Sequence, residues 1–366
     1  MARSAKHSSV DVADKLNAWY LAIQNYNLKE SHRLKKEVNQ LLENMEKNQD
    51  VLLYYSLLDF RMQLNQEQPL NEDEMRAAIT HVGENYSDLT GMLDYYFWLF
   101  KGMYAFKQKQ FSEALAHYKY AEDQVVRLND KIEAAHCYYH LAEVYYTLNY
   151  PLISIRYSRA ALEVFGKNPD YYRYRFLCKS LIGSNFLLRL HVDEALQVYE
   201  EAYELASHYQ DEFLLAIARF NLGIASMNQK HYQEAEHYFE QTAAAFRKHN
   251  SHHLPKALCS FVESLIMQGK EEQAELHYRA ARQSAEVWKD KEYLAKLSII
   301  HELFPAKGDH QVIRAAFQTL MDLNLFSWVQ EYALIVARSL AKRGEYQESI
   351  YYFELSQTAS KKMLKE

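Results

Sequence analysis

Few residues in this chain have the type and spacing that chemistry needs. His136 and His140 stand four apart with Glu143 three further on, a layout that superficially resembles a zinc site on one helix face. No glutamate directly follows His136, so the HExxH arrangement of a metalloprotease fails, and no metal site is expected. Cys137, Cys178 and Cys259 are odd in number, far apart and set in apolar helical patterns, as reduced thiols used for packing would be. Gly102 and Gly223 stand alone, with no glycine-rich loop to cradle a phosphate, and no Ser/His/Asp set can be argued. What is left is amides and carboxylates. Asn221 is a candidate because one side-chain amide can both accept from a peptide N–H and donate to its C=O.

The elements that would position such groups are legible as a repeat. Segments such as FSEALAHYKYA, HVDEALQVYEEA, HYQEAEHYFEQT and EYQESIYYFELS each place a small residue three or four positions before an aromatic. The small residues are Ala114, Ser154, Ala195, Ala235, Ala274 and Ser349, with gaps of 40, 41, 40, 39 and 75. The last gap spans about two units, with a degenerate copy expected at Ala315. Twelve residues earlier the chain again puts small residues, at Gly102, Ala142, Gly183 and Gly223. Paired small positions let two antiparallel helices approach closely, which is the packing logic of the tetratricopeptide unit, here longer than the usual period of about 34. A HEAT-like array has a similar period but does not need this spacing. The expected fold is all-α: an N-terminal three-helix bundle followed by a tetratricopeptide-like superhelical solenoid.

First helices of such pairs line a concave groove. Counting from the small residues puts His136, His140 and Glu143 inward in one unit, and Ser180, Ser184 and Leu188 in the next. Phe220, Asn221 and Asn228 follow, then Lys256 and Glu263. The amino-terminal part differs, with apolar periodicity predicting helices over 11–26, 29–47 and 50–66. The acidic stretch QLNQEQPLNEDEMR around Pro69 breaks the pattern. The domain reading is a bundle over 1–68, a linker over 69–93 and repeats over 94–366.

Bulk composition agrees with this reading. Among 366 residues only 9 are glycine and 5 proline, against a β-rich or Rossmann-type chain with many tight turns. The 30 tyrosines suit helix–helix seams. A net charge of −6 and no basic stripe argue against nucleic acid as a partner. No 18-residue apolar run and no apolar leader at MARSAKHSSVDVADKL point to a cytoplasmic protein without membrane attachment.

Three runs carry a family resemblance: KLNAWYLAI, MEKNQDVLLYYSLLDFR and LTGMLDYYFWLFKGMYAFKQKQFSEAL. With IEAAHCYYHLAEVYY and ARFNLGIA further on, the chain resembles the Rap proteins of Bacillus-type bacteria over nearly its whole length. The resemblance implies quorum-sensing signalling. Some members hydrolyse the aspartyl phosphate of the sporulation phosphorelay regulator, others occlude the DNA-binding domain of a competence regulator, and many are switched off by short Phr peptides. It implies no cofactor of the protein's own, Mg²⁺ being supplied by the phosphorylated regulator.

By the same resemblance Gln49 is the glutamine that orients the attacking water. Asn48, Leu52, Phe60 and Trp98 belong to regulator docking, with Leu52 and Phe60 expected on one face of a helix. Asn221, Leu188, Asn228, Glu143 and Glu263 belong to peptide binding. Lys47 and Asn48 stand where the family often shows two acids, and Leu188 where several peptide-sensitive members carry an aspartate. These departures keep open a second reading, a binding-only anti-activator.

Overall fold

The computed structural model describes residues 8–65, 90–303 and 309–363. Among them are seventeen α-helices, one 3-10 turn and no strand. They are α1 Ser9–Gln24, α2 Leu28–Glu43, α3 Gln49–Leu64, α4 Met92–Lys107, α5 Phe111–Leu128, α6 Lys131–Thr147, α7 Pro151–Phe165, α8 Tyr172–Leu188 and α9 Val192–His208. There follow α10 Glu212–Asn228, α11 Tyr232–Lys248, α12 Leu254–Met267, α13 Glu271–Val287, α14 Lys291–Leu303, α15 His310–Asp322, α16 Phe326–Lys342 and α17 Tyr346–Met363. The all-α expectation holds. The chain divides into two compact units, one of residues 1–108 and 113–137, the other of 109–112 and 138–366.

In the first unit α1 packs on both α2 and α3, giving the expected three helices, which start a residue or two earlier than the apolar pattern placed them and end two to four residues earlier. The difference lies in the caps. Ser8, Asn27 and Asn48 each accept from a backbone N–H of the first turn, from Asp11, Glu30 and Val51 respectively. A polar cap lies outside an apolar stripe, so periodicity alone does not locate it. Buried Val12, Leu16, Trp19 and Ile23 of α1 form its core face. The linker reading around Pro69 falls outside the described residues.

Close approach of paired helices is visible at the glycines. A Cβ on Gly102 would lie 2.5 Å from the Tyr118 ring, and on Gly183 2.5 Å from that of Tyr199. On Gly223 it would lie 2.6 Å from that of Phe239. Where the repeat has serine in place of alanine, the hydroxyl needs a partner in a dry seam. Ser154 Oγ donates to the Ala142 carbonyl at 2.7 Å and Ser349 Oγ to that of Ala337 at 2.8 Å, the same solution in two repeats. One position is corrected: Ala315 is exposed, and Ala316 is the small residue buried in α15.

Glycine scarcity does not mean that the turns are unusual. Helix after helix ends on a residue with positive φ, among them Asn149, Leu190, Gln210, Lys230, Asn250, Lys289 and Asn324. The next residue's N–H reaches back five positions, as His191 to the Phe186 carbonyl at 2.9 Å. That is the left-handed C-terminal cap. Glycine fills it at Gly269 and Gly344, while elsewhere an L side chain bears about 1–2 kcal/mol of strain.

Candidate functional site

Gln49 is the first residue of α3 and is exposed to solvent. The preceding Asn48 is committed to local structure, its Oδ1 accepting from Val51 N at 3.1 Å. One turn on, Leu52 is 43% exposed, an apolar side chain beside the glutamine. Phe60 is not on that face. It is 3% exposed and its ring packs against Tyr104. Eight residues advance a helix by about 800°, which leaves Leu52 and Phe60 about 80° apart. Phe60 is therefore a core residue, correcting the expectation that the pair shares one face. Trp98, on α4, is half-buried in a cluster with Tyr120 and His117, and the Lys101 ammonium lies 5.1 Å from its ring.

The second unit places the peptide-site candidates on first helices of its repeats. The Asn221 side chain, half-buried on α10, makes no hydrogen bond among the described residues and is available to a ligand. Asn228 ends the same helix, and its amide donates to the Ile224 carbonyl at 2.9 Å, so one of its two N–H donors is used. Leu188 ends α8 and is 45% exposed. Glu143 is engaged by its own helix, accepting from Tyr139 Oη at 2.7 Å and meeting His140 Nδ1 at 2.8 Å. His136 belongs to the first unit and is buried there, so it lines no groove. Among the described residues no group of three or more His, Cys, Asp or Glu could hold a metal ion.

Glu263 sits in a network that the repeat pattern did not reveal. Burial pushes its carboxyl up to about 7, and Tyr332 Oη donates to it. Glu331, beside Tyr332 on α16, is exposed to solvent, yet surrounding protein still raises its carboxyl. Its charge reaches the Tyr146 hydroxyl of α6, whose own pKa is raised first by burial and then by Glu331. Glu331 of α16 and Tyr146 of α6 thus lie within electrostatic reach of each other.

Deeper in, Lys296 is 1% exposed, bonds Glu292 at 2.7 Å and lies 3.4 Å from the centre of the Trp328 ring. Lys109, 183 residues before Glu292 in the sequence, pairs with the same carboxylate. Against burial, which raises it, Lys296 and Lys109 together hold Glu292 at about 2. Lys256 has its ammonium 4.4 Å from the Phe220 ring, next in sequence to Asn221. Burial, then Lys296, brings it down to about 8. The sequence signal for Lys296 was present: one lysine inside the apolar run YLAKLSII.

The whole-chain comparisons decide the family. Response regulator aspartate phosphatase J of Bacillus subtilis (strain 168) is 33% identical over 365 residues, covering 98% of this chain and 98% of that protein. The chain belongs to the Rap family. Residues 6–66 of this Rap chain match the family described as response regulator aspartate phosphatase H, N terminal. Regulatory protein RapF of the same organism is 29% identical, covering 94% of this chain and 93% of its own. A crystal structure of a Rap protein complexed with competence and sporulation factor superposes with a TM-score of 0.89 at 32% identity, over 97% of this chain and 99% of that one. No helix among the described residues is long and apolar enough to cross a membrane.

Proposed function

We propose that this Rap protein is a response regulator aspartate phosphatase controlled by a short Phr-type peptide. The observation that carries the reading is Gln49, exposed at the first turn of α3 with the uncovered Leu52 one turn away. An aspartyl phosphate is already activated, and the regulator brings the Mg²⁺ that offsets phosphoryl charge. Hydrolysis then lacks only a positioned water. The Gln49 amide accepts from that water through its oxygen and donates to a phosphoryl oxygen through its nitrogen. Water attacks phosphorus, the aspartyl oxygen leaves as carboxylate, and inorganic phosphate is released. Leu52 supplies apolar contact to the docked regulator, and Trp98 is assigned to docking as well.

The peptide is assigned to the recess of the second unit. Asn221 holds its backbone, and Lys256 offers an ammonium and Glu263 a carboxyl that is only partly ionised near pH 7, seven residues, about 10 Å, apart along α12. Leu188 gives this recess an apolar wall where an acid would favour a cationic side chain, so the peptide differs in charge from those of acid-bearing members. Glu143 and Asn228, both engaged locally, are secondary contacts.

The test is loss of radiolabel from a phosphorylated response regulator, with the wild type compared with Gln49→Ala. Equal loss from both removes Gln49 from the mechanism. A second reading, a binding-only anti-activator, is favoured by Lys47 and by the commitment of Asn48 to capping. Inhibition of DNA binding in a gel shift, with no loss of label, selects it.

A further inference from the structure

The first unit contains a buried carboxyl that neither reading uses. Glu133, in the first turn of α6, is 7% exposed. Tyr20 Oη of α1 donates to its Oε2 at 2.8 Å, and Gln24 Nε2 of the same helix donates to its Oε1 at 3.3 Å. Tyr95 Oη of α4 donates to its backbone carbonyl at 2.8 Å. Residues more than a hundred positions apart thus meet on one side chain.

The neighbourhood is unusual in its charge. From α1 come Tyr20 and Gln24, from α3 Tyr54, from α4 Tyr95 and Tyr96, from the start of α6 its cap Asp130, and from α6 itself Cys137. All are neutral except Asp130, which is acidic, and among the described residues no Lys, Arg or His bonds to Glu133. Asp130 is held in place as the α6 cap, its Oδ1 accepting from Ile132 N and Glu133 N. The aromatic rings close the site: Tyr20 meets Tyr96 edge-on at 4.9 Å, and Tyr54 stacks on Tyr96 at 5.7 Å. A carboxylate here has only neutral donors, one like charge and, among the described residues, no bonded counter-ion. The arrangement favours the protonated acid.

We propose that Glu133 is a proton-dependent latch, fastening α1 of the N-terminal bundle to α6 while its carboxyl is protonated and loosening it when the proton leaves. Burial first, then Asp130, raises this carboxyl to about 7 despite the hydrogen bonds from Tyr20, Tyr95 and Gln24, which lower it. Once α1 has moved away the group is solvated and has an ordinary pKa near 4.5. The packed arrangement therefore binds more protons than the open one between these values. Its stability falls as pH rises from about 4.5 to about 7 and changes little beyond. Opening within that window releases one proton to water. The latch is independent of whether Gln49 acts in hydrolysis.

Hydrogen exchange of the full-length chain at about pH 6 and about pH 8, corrected for intrinsic amide rates, tests this. The opening equilibrium of α1 is expected to be about ten-fold larger at the higher pH. Glu133→Gln, isosteric and always neutral, is expected to protect α1 equally at both. Asp130→Asn keeps the cap, removes the like charge and moves the midpoint of the wild-type transition to lower pH. Tyr20→Phe raises opening at the acid end. A wild-type α1 whose opening is the same at both pH values overturns the latch. So does a Glu133→Gln chain that keeps the wild-type pH dependence, or an Asp130→Asn chain with an unmoved midpoint.

Discussion

Replacing Glu292 by glutamine should be far more damaging than replacing the lysine it holds. Glu292 is the shared partner of Lys296 and Lys109. Its carboxyl is held at about 2 against an ordinary 4.5, and its side chain is 16% exposed. That displacement corresponds to about 3 kcal/mol, at 1.36 kcal/mol for each pH unit. Glu292→Gln leaves the Lys296 ammonium 1% exposed with the Trp328 ring but without its hydrogen-bonded carboxylate, Glu263, Glu331 and Asp290 acting on it only through space. The expected cost is about 3–5 kcal/mol. Lys296→Met keeps the volume and leaves Glu292 paired with Lys109, so its cost is expected to stay below about 1.5 kcal/mol. The depressed carboxyl also fixes a pH direction. This stabilisation is complete above about pH 4.5 and is lost as pH falls towards about 2. The assay is hydrogen exchange of α14 at neutral pH, where Glu292→Gln should raise the opening equilibrium by about two to four orders of magnitude and Lys296→Met by no more than about ten-fold. Equal protection of α14 in the two variants would refute the charge reasoning.

Other changes have equally definite outcomes. Leu190 occupies a left-handed cap position at φ 60°, so Leu190→Gly should raise the urea midpoint, with a gain of about 0.5–1 kcal/mol. Phe60→Ala should destabilise the first unit by about 3–5 kcal/mol, whereas Leu52→Ala should keep its melting temperature and weaken regulator capture. Asn221→Ala should weaken binding of a Phr-type peptide by about ten-fold or more in a calorimetric titration, while Asn228→Ala, already bonded to its own helix, should change it less than three-fold.

The repeat was legible because its cause is local. Gly183 must accommodate Tyr199 sixteen residues on, and such a pairing leaves a period in the sequence. Where the constraint was weaker the reading slipped by one residue, from Ala316 to Ala315. Gln49 and Leu52 are both exposed on α3, whereas Phe60 is buried, which was not legible because family position does not say which side of α3 meets Tyr104. Lys109 and Glu292 could not be paired from sequence, since only the coiling of several repeats brings residues 183 apart together. Glu133 is a similar case. An acid in the first turn of a helix looks like an ordinary dipole partner until Tyr20 and Gln24 close over it.

Everything functional rests on whether the Gln49 amide works on a bound phosphoryl group. The direct measurement is to determine, on one phosphorylated regulator, both the affinity and the single-turnover rate of label release for wild type and Gln49→Ala. The account predicts affinity changed by less than about three-fold and release slowed by about a hundred-fold, because docking survives and water is no longer held in place. Release at the wild-type rate from a bound Gln49→Ala complex would contradict it.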